Sequence, residues 1–311
     1  MPSARSKLVL SLLRSGRGFF SKVGEGMMNV DPPSVSRRVE VTQDGVKGEY
    51  LEIGTIPALL LSPKGAPEDR IVLHCHGGAY VSGRLLQARA IAQLVAKHSG
   101  LRVLTFAYRL APDDPYPAAR EDAFACWQYL LSKGYSPENI ALTGESAGGN
   151  LCLTLTLYLR QMKQPLPRAL CLMSPWVDLT QSGESHHRLK GYDPTLDGDD
   201  LMRSALNYAG GVPLNDPMIS PVFASFEGFP PTMIHVGMEE ILLSDAELLH
   251  AAMQRDRVNV TLVKWAGMCH VFQGFGFPES RVSLKGFGYF LRKKLGLSSV
   301  SPREEDTGEP V

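Results

Sequence analysis

No stretch of this 311-residue chain approaches the ~20 consecutive apolar residues that cross a bilayer, so no stable membrane insertion is expected. Charge of one sign is also missing. Lys and Arg number 32 against 32 Asp and Glu, net +0, leaving no global field to attract nucleic acid or an anionic membrane, and neither is an expected partner. Cysteine is scarce and unpatterned: Cys75, Cys126, Cys152, Cys171 and Cys269 are odd in number, lack any CxxC spacing and sit in apolar segments. That argues against a disulfide framework and for buried free thiols in a reducing compartment, hence a cytoplasmic location. Internal repeats and low-complexity arrays are absent as well.

The hydrophobic share, 44%, suits a globular protein with a large core. Arg5, Lys7, Arg14, Arg17 and Lys22 precede the first acid, Glu25. The apolar stretch there, "LVLSLL", is too short for a secretory signal. The segment reads as a basic amphipathic helix of the fold, with a mitochondrial presequence and a membrane-surface anchor as the competing readings. From Val39, "VEVTQDGVKGEYLEIGTIPALLLSP" gives short strands broken by turn dipeptides, a meander. "RIVLHCH", "LRVLTFAY", "NIALTG", "RALCLMSP", "PPTMIHVG" and "NVTLVKW" then read as buried strands, most of them separated by helical periodicity such as "YPAAREDAFACWQYLLSKG". Strand alternating with helix demands a mostly parallel sheet covered on both faces. The fold class is α/β. Residues 181–220 interrupt the alternation with one helical stretch, Leu201 to Tyr208, and read as an insertion covering something. Residues 298–311 lack apolar periodicity and read as a disordered tail.

"NIALTGESAGGNL" places Gly144-Glu145-Ser146-Ala147-Gly148 between a strand and a helix, the setting that G-x-S-x-G requires. Small neighbours let the chain turn sharply and hold the Ser146 hydroxyl clear, at the positive end of the following helix. A serine hydroxyl needs a base, and the base an orienting acid. His270, on the loop after the last strand, and Glu239 or Glu240, just after the preceding strand, lie in the order serine, acid, histidine. In "IVLHCHGGAY", the side-chain-free Gly77 and Gly78 let backbone amides reach an oxyanion, and Ala147 supplies another. Metal ligation by His74 and His76 is the weaker alternative, since no third and fourth ligand stands out; His76 is expected to hold the loop by hydrogen bonding. His186 and His187 read as surface residues and His235 as a satisfied strand-end histidine. Trp176 and Asp178 either line an acyl pocket or pack a strand end. Phe19, Phe20, Met27 and Met28 could wall the site.

Through "HGGAY", "YRLAPDDPYPAAREDA", "SPENIALTGESAGGNL" and "GMCHVF", the chain from about Arg70 to Leu295 resembles the hormone-sensitive-lipase-like branch of the α/β-hydrolases, the bacterial-type carboxylesterases. The resemblance implies an α/β-hydrolase fold with an eight-stranded, mostly parallel sheet, helices on both faces and a helical cap, and no cofactor. Residues 1–45 and 181–220 would form the cap, with 46–180 and 221–297 the core. Three positions depart from the family pattern: Ala79 replaces a third glycine, Glu145 replaces the usual aspartate before the nucleophile, and the triad acid is glutamate. Laying the family's acid segment on "EILLSD" selects Glu240. The resemblance implies a serine carboxylesterase acting on small esters of short to medium acyl chains, with Ser146, Glu240 and His270 as triad and Gly77, Gly78 and Ala147 as oxyanion hole. Lactone or amide hydrolysis would use the same machinery, and a non-catalytic ligand-binding protein is the rival from another class. Homodimers through an edge strand are frequent in such proteins.

Overall fold

The computed structural model describes residues 2–15, 39–41 and 45–298. Phe19, Phe20, Met27, Met28 and residues 299–311 of the tail lie outside them. Among the described residues nine strands form one sheet: β1 (Val39–Val41), β2 (Val46–Ile53), β3 (Ile56–Pro63), β4 (Ile71–Cys75), β5 (Arg102–Phe106), β6 (Ile140–Glu145), β7 (Leu170–Met173), β8 (Thr232–Gly237) and β9 (Val260–Trp265). Their order is β1-β2-β3-β5-β4-β6-β7-β8-β9. The expected eight-stranded, mostly parallel arrangement is there, with three-residue β1 added at the antiparallel edge.

Burial explains the two strand patterns. Alternation of buried and less buried residues along β2 marks a strand with one wetter face. Every residue of β4, β6 and β7 is buried, because helices cover both faces of a parallel sheet and neither face can be polar. Apolar side chains such as Leu73, Leu142, Leu172 and Ile234 fill one side of the sheet, and Val72, Val103, Ala141 and Cys171 the other.

Among the described residues eight α-helices accompany the sheet: α1 (Ala4–Ser15), α2 (Leu85–Ser99), α3 (Ala118–Ser132), α4 (Ala147–Gln161), α5 (Glu184–Arg188), α6 (Gly198–Ala209), α7 (Leu243–Arg255) and α8 (Pro278–Lys294). None among the described residues is long and apolar enough to cross a membrane. The basic start does form a helix. Leu10 of α1 packs with Met268, Cys269, Phe272 and Phe277, and Ser3 and Ser6 at its start bond Glu279 of α8. Helix α1 therefore rests on the loop that follows β9. The insertion carries α5 and α6, the latter begun by Asp197, whose carboxylate accepts the amides of Asp199 and Asp200 and satisfies donors the first turn leaves open.

Candidate active site

The parallel strands β4, β6, β7 and β8 run in register, so the loops after their C-terminal ends meet on one side of the sheet, where open α/β sheets bind ligands. Ser146 follows β6 directly and leads into α4, with φ +55 and ψ −122. A non-glycine residue so placed is strained. It is tolerated because the turn is packed tightly around it: a Cβ on Gly148 would collide with the Cys75 carbonyl, and one on Gly144 with the Gly148 carbonyl. Only glycine lets β4, β6 and α4 approach this closely.

His270 and Glu240 come from the loops after β9 and β8. His270 Nδ1 lies 2.7 Å from Glu240 Oε2. A carboxylate accepts, so the proton sits on Nδ1 and Nε2 keeps its lone pair. The other oxygen, Oε1, accepts the Ser174 hydroxyl at 2.7 Å and the Gly237 amide at 2.6 Å. Three donors thus fix a fully buried carboxylate. Glu239, by contrast, is only partly buried, and its amide donates to the Met268 carbonyl at 2.9 Å. Of the two acids left open by the order of residues, the structure brings Glu240 to the histidine. Burial pulls the His270 pKa down, but the neighbouring Glu240 carboxylate, with smaller contributions from Asp193 and Glu145, outweighs it, and the net shift is upward.

Gly77 departs from the role expected of it. Its amide donates to Glu145 Oε1 at 2.7 Å, so this N–H ties the loop to the residue before Ser146. Glutamate in place of aspartate thereby anchors the glycine loop, and the next two residues, Gly78 and Ala79, turn over the cavity with φ +116 and +52. His76 holds the same loop as expected: Nδ1 donates to the Gly77 carbonyl at 2.7 Å, and the ring stacks on Tyr108 at 4.0 Å. Burial lowers its pKa to about 4, so the imidazole is neutral near pH 7. His74 lies 2.9 Å from Thr143 Oγ1 and 3.1 Å from Glu145 Oε2, a buried polar contact beneath the loop. Among the described residues no group of three or more His, Cys, Asp or Glu is arranged to hold a metal ion.

Ser146 and His270 front one cavity of about 790 Å³, with Gly77, Gly78, Ala79 and Glu145 on one side, Val271 and Phe275 on another and Thr195, Leu196 and Leu201 of the insertion on a third. Trp176 and Asp178 are not among its lining residues. The Asp178 carboxylate instead accepts from Thr180 and Ser182. His186 is buried rather than on the surface, its Nε2 2.7 Å from Asp245 Oδ1, while His187 is exposed. His235 is a satisfied core histidine, 2.7 Å from Ser283 Oγ.

Four polar residues of this region escaped the sequence reading. Ser174 supports Glu240. Asn150 accepts the Tyr80 hydroxyl at 2.9 Å and donates to the carbonyls of Trp176 and Ile219. Asp193 and Asp245 bind backbone amides. Asn150 stands in the "GESAGGN" segment, a polar residue four positions after Ser146 in the largely apolar first half of α4. The others carry no local signal.

The family defined by the α/β-hydrolase fold matches residues 72–274. An acetyl-hydrolase of Streptomyces hygroscopicus is 36% identical over 251 residues, covering 80% of this chain and 84% of that protein. An esterase of Acinetobacter venetianus is 35% identical, covering 72% and 75%. A crystal structure of an esterase from the bacterial hormone-sensitive lipase family superposes with a TM-score of 0.84 at 33% identity, covering 95% of this chain and all of that one. The chain belongs to the α/β-hydrolase-fold family, in its hormone-sensitive-lipase-like branch.

Proposed function

We propose that this carboxylic ester hydrolase works by acyl transfer to Ser146, with His270 as general base and Glu240 as the acid that orients it. The observation that carries the reading is the 2.7 Å pairing of His270 Nδ1 with the thrice-held Glu240 carboxylate at the cavity that Ser146 also faces. His270 Nε2 takes the Ser146 proton as the hydroxyl attacks the ester carbonyl, then gives it to the leaving alcohol. Water activated by the same imidazole hydrolyses the acyl enzyme.

The tetrahedral oxyanion needs fixed donors. With the Gly77 amide engaged by Glu145, we assign them to Gly78, Ala79 and Ala147, the last beginning α4 and sharing its positive end. Gly77 contributes through its place in the loop. Residues 181–220 serve as the part of the cap that walls the cavity, and α1, from the first 45 residues assigned to the cap, braces the His270 loop. Five buried free cysteines support a cytoplasmic location, and β9, which among the described residues ends the sheet order beside β8, offers an edge that supports a homodimer.

Substrates are small esters of short to medium acyl chains. The cavity volume lies within the range of small-molecule sites, and its apolar lining by Val81, Ile91, Leu196, Leu201 and Phe275 suits an acyl chain. Relatives named acetyl-hydrolase and esterase agree with this. Hydrolysis of p-nitrophenyl esters from acetate to palmitate tests it. Turnover is expected to favour the shorter chains and to fall by about 10⁴-fold or more in Ser146→Ala. A wild-type enzyme inert across the series would overturn the reading in favour of ligand binding.

A further inference from the structure

Asp193 lies between the insertion and the acid loop, completely buried. Its Oδ2 accepts the amide of Ile241 at 2.8 Å, the residue directly after Glu240. Its Oδ1 accepts the amide and hydroxyl of Thr195, at 2.8 and 2.9 Å, and the amide of Leu196 at 3.0 Å. Thr195 and Leu196 line the cavity. One carboxylate therefore joins the substrate wall to the backbone that carries the orienting acid. Asp245 makes an instructive contrast. It also accepts two amides, from Val177 and Asp178 at 2.9 Å each, and pairs with His186 of α5 at 2.7 Å, but neither it nor these partners line the cavity.

We propose that Asp193 is a positioning residue for ester hydrolysis, setting the aim of Glu240 at His270 and the place of the Thr195–Leu196 wall together. The proposal rests on the reading of Ser146, His270 and Glu240 as the triad. A shift of the acid loop relative to the cavity wall changes the geometry of attack, and displacements of about 1 Å cost roughly 10²-fold in rate. The charge acts in the same direction: the groups that raise the His270 pKa against its burial are Glu240, Asp193 and Glu145, with His76 across the cavity kept neutral by burial.

The test compares wild type, Asp193→Asn and Thr195→Val with p-nitrophenyl acetate and octanoate over a pH series, normalised to titrated active sites. Asparagine keeps the shape of aspartate but turns an NH₂ toward one set of amide donors. Its kcat is expected to fall by about 10- to 100-fold. The acid limb of kcat/KM should move to lower pH, because a charge that favours the imidazolium is gone and neutral His270 survives to more acidic solution. Thr195→Val removes one hydrogen bond to Oδ1, and a KM for octanoate raised about two- to fivefold, with the acid limb in place, is expected.

A residue that serves stability alone would lower the titratable fraction and leave both the pH profile and kcat per site unchanged; that outcome for Asp193→Asn overturns the proposal. Where Asp193→Asn does not fold, Thr195→Val decides, and a wild-type KM there is contradictory. Ser146→Ala run alongside separates the two readings. Activity near the wild-type level in it removes the triad itself, whereas a Ser146→Ala that falls as expected, with an unaltered Asp193→Asn, removes only the role of Asp193.

Discussion

The central sheet and the insertion of residues 181–220 share apolar packing but differ in how much of their placement depends on buried carboxylates. Strands β4, β6 and β7 bury every residue, and the side chains that meet the helices, Leu73, Leu142 and Leu172 among them, are fully enclosed. Their stability is apolar area removed from water, spread over many contacts. The insertion shares that apolar core through Leu201, Ala205, Tyr208 and Ile219, but its loops are placed by a few buried carboxylates. Asp178 accepts from Thr180 and Ser182, Asp193 from Thr195, Leu196 and Ile241, and Asp245 from Val177, Asp178 and His186. Apolar burial fails gradually as side chains are trimmed, whereas a buried carboxylate that is removed leaves several orphaned donors at once. The core is built for tolerance and the cavity wall for fixed placement.

Asp245→Ala tests this most severely on the insertion side. Two amides and His186 lose their partner, and a cost of about 3 kcal/mol is expected. Limited proteolysis should cut within residues 181–220 while the sheet stays protected. Leu142→Ala, of comparable cost at about 2–5 kcal/mol, should open the whole molecule cooperatively instead. Identical cleavage patterns in the two variants would erase the distinction. A smaller effect is expected at Ala79, whose φ of +52 costs an alanine about 1–2 kcal/mol and a glycine less. The Ala79→Gly change is expected to raise stability by about 1 kcal/mol or less, since added freedom in the unfolded chain offsets part of the relief. Activity should stay within about twofold. A loss of stability in urea unfolding would contradict the strain assigned to this turn.

The same contrast explains what the sequence disclosed. Buried strands show as continuous apolar runs and helices as 3.6-residue periodicity, so β4 to β9 and α2 to α4 were legible, as was the turn at Ser146 from its glycines. His270 and the acidic pair at 239 and 240 were readable from their order after late strands. The choice of Glu240 needed the resemblance, since periodicity does not say which of two adjacent carboxylates faces inward. Gly77 was misread for a physical reason. Glycine spacing reports that a backbone must come close to something, and here that something is the Glu145 carboxylate. His186 reads as a surface residue from sequence because its partner, Asp245, is 59 positions away. Side-chain-to-backbone bonds such as those of Asp193 and Ser174 have no period and no composition, and only the fold reveals them.

The most direct test of the account is the pH dependence of kcat/KM for wild type, Glu240→Gln and Glu239→Gln. Under the proposed mechanism neutral His270 is the active form, so activity is expected to be lost as pH falls through its pKa. Because that pKa lies above the ordinary 6.5, the wild-type acid limb should centre above that value. Glu240→Gln should lose roughly 10³- to 10⁴-fold, with any residual activity showing its limb at lower pH, as burial acts without the opposing carboxylate. Glu239→Gln should stay within about threefold of wild type. Collapse of Glu239→Gln with Glu240→Gln intact would contradict the account at its centre.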